Sequence, residues 1–206
     1  SRLSPGGGPS EFALQRPEYY IAEAIALESE GRVAESKAML HQAAERKPRD
    51  ARLQHEIGVR FFNLADNQSA EIYLRRAAEL APQDATCVLG LATVLHRLDR
   101  LPEALKLTHK AARLRPDDAS VRLRAGHLHF GMGDIAGAAA AFREAARLEP
   151  QLPAAHAALA RTLVRLGHIP EALAEAAKAA ELSPADESLA SLVTALTARL
   201  KGSTLP

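Results

Sequence analysis

One short phrase recurs five times along the chain: AAERKP at 43–48, AAELAP at 77–82, AARLRP at 111–116, AARLEP at 145–150 and AAELSP at 179–184. Its prolines, Pro48, Pro82, Pro116, Pro150 and Pro184, stand 34 residues apart. A fixed interval of that size marks an array of small units, each burying its apolar face on the next. The units run 17–50, 51–84, 85–118, 119–152 and 153–186 in a chain of 206 residues. Because neighbours depend on one another for burial, 17–201 is expected to be one cooperative domain with no internal boundary.

Inside each unit the apolar residues recur at spacings of three and four, which is the period of amphipathic helices and not of strands. In the third unit Val88, Leu91, Ala92 and Leu95 share one face of a first helix. Leu101, Ala104, Leu105, Ala111, Ala112 and Leu114 line a second. The expected fold class is therefore all-α, with two helices per unit. Pro-x-Asp at 48–50, 82–84, 116–118 and 184–186 supplies the punctuation. The proline stops one helix, and the aspartate carboxylate caps the next. Gln151-Leu152-Pro153 lacks that capping side chain. Turns inside the units are expected at Gly31, Asp66-Asn67, Asp99, Gly133-Asp134 and Gly167, with Pro102 and Pro170 in opening helical turns.

Small side chains recur where helices must approach. Ala70, Ala104, Ala138 and Ala172 share one place with Ser36, and Ala43, Ala77, Ala111, Ala145 and Ala179 share another. Residues 187–201 read as a terminal first helix that closes the array, striped by Leu189, Leu192, Val193 and Leu196. Residues 1–16 read as a linker or tag-derived tail, Gly/Pro/Ser-rich over 1–11, with a docking peptide as the alternative and Phe12 and Leu14 as its anchors. Residues 202–206 form the other tail. A start without methionine reads as a piece of a longer protein, and the alanine-, arginine- and leucine-rich wording points to a GC-rich bacterial source.

Composition narrows the activity. Hydrophobic residues make up 47% and charged residues 25%, enough to fold, and the net charge of +1 lacks the basic excess of a nucleic-acid module. No apolar run reaches membrane-spanning length. Cys87 is the only cysteine, which excludes an internal disulfide and a cysteine zinc site, and fits a reducing compartment such as the cytoplasm. No GxSxG, GxxxxGK[ST], HExxH or paired-cysteine motif occurs, so neither an enzyme nor a cofactor is expected. His127 and His129, two apart, point to different sides of a helix, and no metal site is expected.

The fixed positions resemble the tetratricopeptide repeat. The second unit carries Gln54, Ile57-Gly58, Phe61, Ala70, Leu74, Ala77 and Pro82 in that family's register; the fourth carries Arg122, Ala125-Gly126, His129, Ala138, Phe142, Ala145 and Pro150. The departures are polar: Gln54, Arg122 and His156 stand at the fourth position, and His129 at the eleventh, where they are expected to weaken individual contacts. The resemblance implies a right-handed superhelix of antiparallel helix pairs. First helices line its concave groove, and the function is binding peptides or proteins without catalysis.

On each first helix, positions 2, 5, 9, 12 and 13 share a face distinct from the one packed on the second helix. In chain order that face presents Ile21 and Ile25; Arg52, His55, Val59, Phe62 and Asn63; and Leu89, Thr93, His96 and Arg97. Leu123, His127 and Phe130 follow, then Arg161, Val164 and Arg165. Apolar anchors mixed with cations point to a protein or peptide ligand bearing apolar and acidic groups. One subtype of the family grips a chaperone's terminal carboxylate through Lys and Asn at positions 5 and 9. Here those positions read Ile21, Ile25, His55, Val59, Leu89, Thr93, Leu123, His127, Ala157 and Arg161, so that clamp is not expected. Two alternatives stand beside groove binding: self-association into a homo-oligomer, and an accessory region of a larger enzyme such as a glycosyl- or sulfotransferase.

Overall fold

A computed structural model of the chain describes residues 11–202. Of the linker read over 1–16 and the tail read over 202–206, residues 1–10 and 203–206 lie outside the described residues; within them Glu11–Leu14 is helical and the terminal helix runs on to Gly202. The described residues fall into two compact units, the first ending at Asp99 and the second starting at Arg100.

The first unit holds α1 (Glu11–Leu14), α2 (Pro17–Ser29), α3 (Val33–Arg46), α4 (Ala51–Asn63), α5 (Asn67–Leu80) and α6 (Ala85–Arg97). α2 packs on α3 and α4 on α5, and α6 lies against both α4 and α5. The second holds α7 (Leu101–Leu114), α8 (Ala119–Gly131), α9 (Ile135–Leu148), α10 (Pro153–Leu166), α11 (Ile169–Leu182) and α12 (Glu187–Gly202). There α7 meets α8, α8 pairs with α9, α10 with α9 and α11, and α12 closes on α11. No strand occurs among the described residues, and the fold is the expected all-α array of helix pairs.

The cores follow the periodicity. Leu40, Ile57, Phe61, Leu74, Val88 and Leu95 are fully buried in the first unit; Leu128, Phe142, Leu159, Leu163 and Leu189 are fully buried in the second. Each such side chain contributes about 1.5–3 kcal/mol by leaving water. Ala70, Ala104, Ala138 and Ala172 are wholly buried, as are Ala43, Ala77, Ala111, Ala145 and Ala179. Ser36, which takes the alanine's place in the first unit, is equally buried and turns its hydroxyl to Glu28 at 3.1 Å. Gly58 and Gly126 let the paired helices close. A Cβ on Gly58 would sit 2.6 Å from Cγ of Leu74, and one on Gly126 would enter the Phe142 ring. On α12, Leu189 and Leu196 are buried as the stripe requires, and Leu192 and Val193 pack partly against the core.

Helix starts also follow the sequence. Asp50 accepts from the Leu53 N–H, Asp84 from Thr86, Asp118 from Ser120 and Asp186 from Ser188, at 2.8–3.1 Å. Leu152 precedes α10 without a side-chain bond. The turns inside the repeats differ in one place. The left-handed residue immediately precedes the helix cap each time: Gly31, Ala65, Asp99, Gly133 and Gly167, with φ between 58° and 80°. In the second repeat it is Ala65, while Asp66 caps α5 through the Ser69 N–H.

Of the fourth-position residues expected to weaken contacts, Gln54 and His156 bond to backbone carbonyls, while Gln54 Oε1 and Arg122 Nε are buried without a hydrogen-bond partner among the described residues. Gln54 is fully buried on α4, and its Nε2 donates to the carbonyls of Ala44 and Lys47, each at 3.2 Å. These carbonyls belong to the end of α3, where backbone acceptors lack partners within the helix. His156, 8% exposed on α10, reaches the Pro150 carbonyl through Nε2 at 3.0 Å. Tyr20 on α2 donates its hydroxyl to the Leu14 carbonyl at 3.0 Å. Gln54, His156 and Tyr20 thus each close the chain end that precedes their own helix.

Candidate functional site

In the first unit the candidate face lies on α2, α4 and α6. Ile21 is buried in the core and leaves the face, whereas Ile25 is 44% exposed. Arg52, Asn63, His96 and Arg97 are exposed, and His55, Val59, Phe62, Leu89 and Thr93 are half-buried. Thr93 turns its hydroxyl back to the Leu89 carbonyl at 2.7 Å, the usual fate of a threonine inside a helix. His55, Val59 and Asn63 line a shallow depression with Glu56 and Arg60. Partial burial pushes the His55 imidazole below its ordinary value against the opposing pull of Asp84.

The tightest relationship on this face joins two repeats. The Arg97 guanidinium lies over the Phe62 ring, 3.9 Å from its centroid. Phe62 holds position 12 of its repeat and Arg97 position 13 of the next, so neighbouring first helices bring them together. Arginine suits this contact because its planar, weakly hydrated cation stacks on an aromatic face.

The second unit repeats the arrangement in the same register on α8 and α10. There Arg165 lies over Phe130, 4.8 Å from the centroid. Leu123, Phe130 and Val164 are half-buried and lean on the core. Arg161 is exposed, and its charge helps hold the Asp186 carboxyl down, behind the larger effect of hydrogen bonds from Ser188. His127 is exposed but sits edge-on to the Phe142 ring of α9 at 5.0 Å, toward the second helix of its own pair.

Arg46 lies over the Tyr20 ring at 5.1 Å, and several other arginines pair with acids. Arg32 binds Glu35, Arg100 binds Glu103, Arg143 binds Glu171 and Arg147 binds Glu144, at 2.6–2.8 Å. Among the described residues no carboxylate pairs with Arg97 or Arg165.

Three features escaped the sequence reading. One is the aromatic stacking, which joins residues 35 apart and has no local signal. Another is Glu56, which adds an acid beside His55 and pairs with Arg60 at 3.5 Å. The third is a histidine pair, His109 and His129, with ring centroids 5.7 Å apart and His129 Nδ1 2.8 Å from Asp134. No group of three or more His, Cys, Asp or Glu among the described residues is placed to hold a metal ion. Cys87 is 2% exposed, and burial pushes its thiol up, which makes it an inert packing residue. No helix among the described residues is long and apolar enough to cross a membrane.

Models of the tetratricopeptide repeat match residues 21–85, 55–119 and 129–196. No curated protein matches the chain. Among solved structures, MamA from Desulfovibrio magneticus RS-1, residues 41 to its end, is similar at 20% identity and a TM-score of 0.72, over 82% of this chain and 96% of that one. YrrB, described as a TPR protein with an unusual peptide-binding site, is similar at 22% identity and a TM-score of 0.67, over 85% and 90% of the two chains. A thermophilic TPR protein from Thermus thermophilus is similar at 23% identity and a TM-score of 0.60, over 88% and 98%. Repeat interval, helix pairing, family match and shared fold agree, and the chain belongs to the tetratricopeptide repeat family.

Proposed function

We propose that the chain is a non-enzymatic interaction scaffold whose first-helix faces receive an extended or short helical segment of a partner protein. The segment carries apolar side chains and acidic groups. The observation that supports this reading most is the pair of stacked arginines. A guanidinium resting on a ring is held in place at little entropic cost, and its N–H groups stay free for a carboxylate. Arg97 and Arg165 lie on rings, while the arginines bound to acids are satisfied within the chain. Exposed Ile25 and half-buried Val59 and Leu89 supply apolar footing beside the first clasp, as Leu123 and Val164 do beside the second. YrrB's description as a peptide-binding TPR protein points the same way for a chain of this fold.

The test is selection of binders from a random-peptide library on the full chain. The selected peptides are expected to be rich in aspartate or glutamate beside apolar residues. Phe62→Ala combined with Leu89→Ala abolishes their binding while circular dichroism stays helical. Undiminished affinity in that folded variant overturns the groove reading.

A further inference from the structure

A second surface lies on the opposite kind of helix. In the second unit, the outward side of α7 forms a shallow depression lined by Pro102, Leu105, Lys106, His109 and Arg113, with Met132 from the turn after α8. Met132 is 42% exposed, a large apolar side chain left at the surface of a turn. No acid lines the depression. Glu103, the acid on α7, is bound to Arg100 at 2.6 Å, and no described carboxylate pairs with Lys106 or Arg113.

The same places on α5, in the first unit, make a useful contrast. They hold Glu71, Arg75, Arg76 and Glu79 around exposed Ile72, and Arg75 pairs with Glu71. That surface neutralises itself, as a merely solvated helix face does. The α7 surface has only cations around its apolar floor. Burial, followed by the charges of His129, Arg113 and Arg122, pushes His109 below its ordinary value, so the positive field there acts on a neighbouring group.

We infer that the outward face of α7 is a second docking surface, separate from the first-helix groove, which takes an acidic amphipathic helix of a partner protein. The spacing carries the choice of a helix. Lys106 and Arg113 are seven residues apart, two turns or about 10 Å along the axis. A helix laid alongside α7 repeats its own carboxylates at that interval. Its apolar stripe then rests on Leu105 and Met132, whose thioether adapts to irregular partners. Charge complementarity selects the acidic partner and discourages a basic one. The floor is leucine, proline and methionine, and among the lining residues His109 supplies the single ring, short of the series of aromatic platforms on which successive bases of a nucleic acid stack.

The experiment uses the full chain and two synthetic helical peptides of about five turns, read by fluorescence anisotropy. One has glutamate at every seventh position beside a leucine stripe; the other replaces glutamate with lysine. The acidic peptide is expected to bind and the lysine peptide not to. Lys106→Glu with Arg113→Glu weakens the acidic peptide at least about tenfold, and Lys106→Gln with Arg113→Gln has a smaller effect of the same sign. These side chains are at the surface, and circular dichroism checks that the variants stay helical. Arg97→Gln with Arg165→Gln leaves this binding unchanged. Loss in that groove variant alone puts the peptide in the groove, overturns the second surface and leaves the proposed function standing. Absence of binding, equal binding of the lysine peptide, or indifference to charge reversal also overturns it. Phosphatidylserine vesicles or a DNA duplex bound as tightly through the same residues, or a dimer dissolved by the same reversal, overturn it in favour of a lipid surface, nucleic acid or a second copy.

Discussion

His156 lies with Nδ1 2.7 Å from a carboxylate oxygen of Glu175, while Nε2 of the same ring lies 3.0 Å from the Pro150 carbonyl. One side chain on α10 therefore joins α11 to the end of the preceding repeat. His156→Ala removes both bonds, each worth about 0.5–1.5 kcal/mol, and so costs about 1–3 kcal/mol. His156→Gln keeps a donor, as Gln54 does in the matching place, and recovers part of the loss. Urea denaturation of the three proteins checks the order; equal stability of the alanine variant removes the structural role assigned to the ring.

Gly126 faces Phe142, and Gly58 faces Leu74, at the points where paired helices come together. Gly126→Ala forces the buried ring to shift and is expected to destabilise the chain by about 1–3 kcal/mol, despite the better helix propensity of alanine. Gly202→Ala meets nothing within 4 Å and serves as the control. Thermal melting of both variants gives the comparison, and a stabilised Gly126→Ala contradicts the close approach.

Ala65 and Asp99 hold left-handed backbone angles, φ 58° and 60°. An L-residue with a Cβ is disfavoured there by about 1–2 kcal/mol, whereas glycine is not. Ala65→Gly is accordingly expected to stabilise the chain by about 0.5–1 kcal/mol, an unusual sign for that substitution. A lowered melting temperature counts against the turn geometry.

Acid should weaken the chain through its helix caps. Hydrogen bonds from Ser120 hold Asp118 below the ordinary carboxyl range, the Gly137 N–H followed by His129 does so for Asp134, and the Ser188 hydroxyl does so for Asp186. A carboxyl lowered in the folded state contributes stability that is complete above its unfolded value, about 3.9, and is lost as pH falls through the folded value. Urea midpoints are therefore expected to fall with pH below about 4. Asp118→Asn with Asp186→Asn, which keeps a capping oxygen, flattens that fall. A pH profile unchanged by the two substitutions removes the caps as its cause.

Helix pairs, caps and close alanines were legible because they depend on local spacing. Proline ends a helix and aspartate begins one whatever lies across the groove. The turn at Ala65 was not legible, because alanine gives no sign of a left-handed angle that three of the other repeats assign to glycine. Gln54 and His156 read as intrusions into an apolar position, because their partners are backbone carbonyls that no residue letter records. The face carrying Phe62 and Arg97 followed from helical period, but their stacking did not. Position 12 of one repeat and position 13 of the next meet only once the helices are packed. Ile21 shows the same limit in reverse, since a residue on the candidate face became core when its neighbours closed over it.

Gln54 belongs to one repeat but finishes the helix of the repeat before it. Excising 51–84 would keep the 34-residue rhythm and a capping aspartate, Asp50 for Asp84, yet would put Val88 where the amide stood. The modules of this chain are therefore not interchangeable beads. Their order is written into their seams, and a shortened or shuffled version inherits mismatched joints even when every helix in it is native.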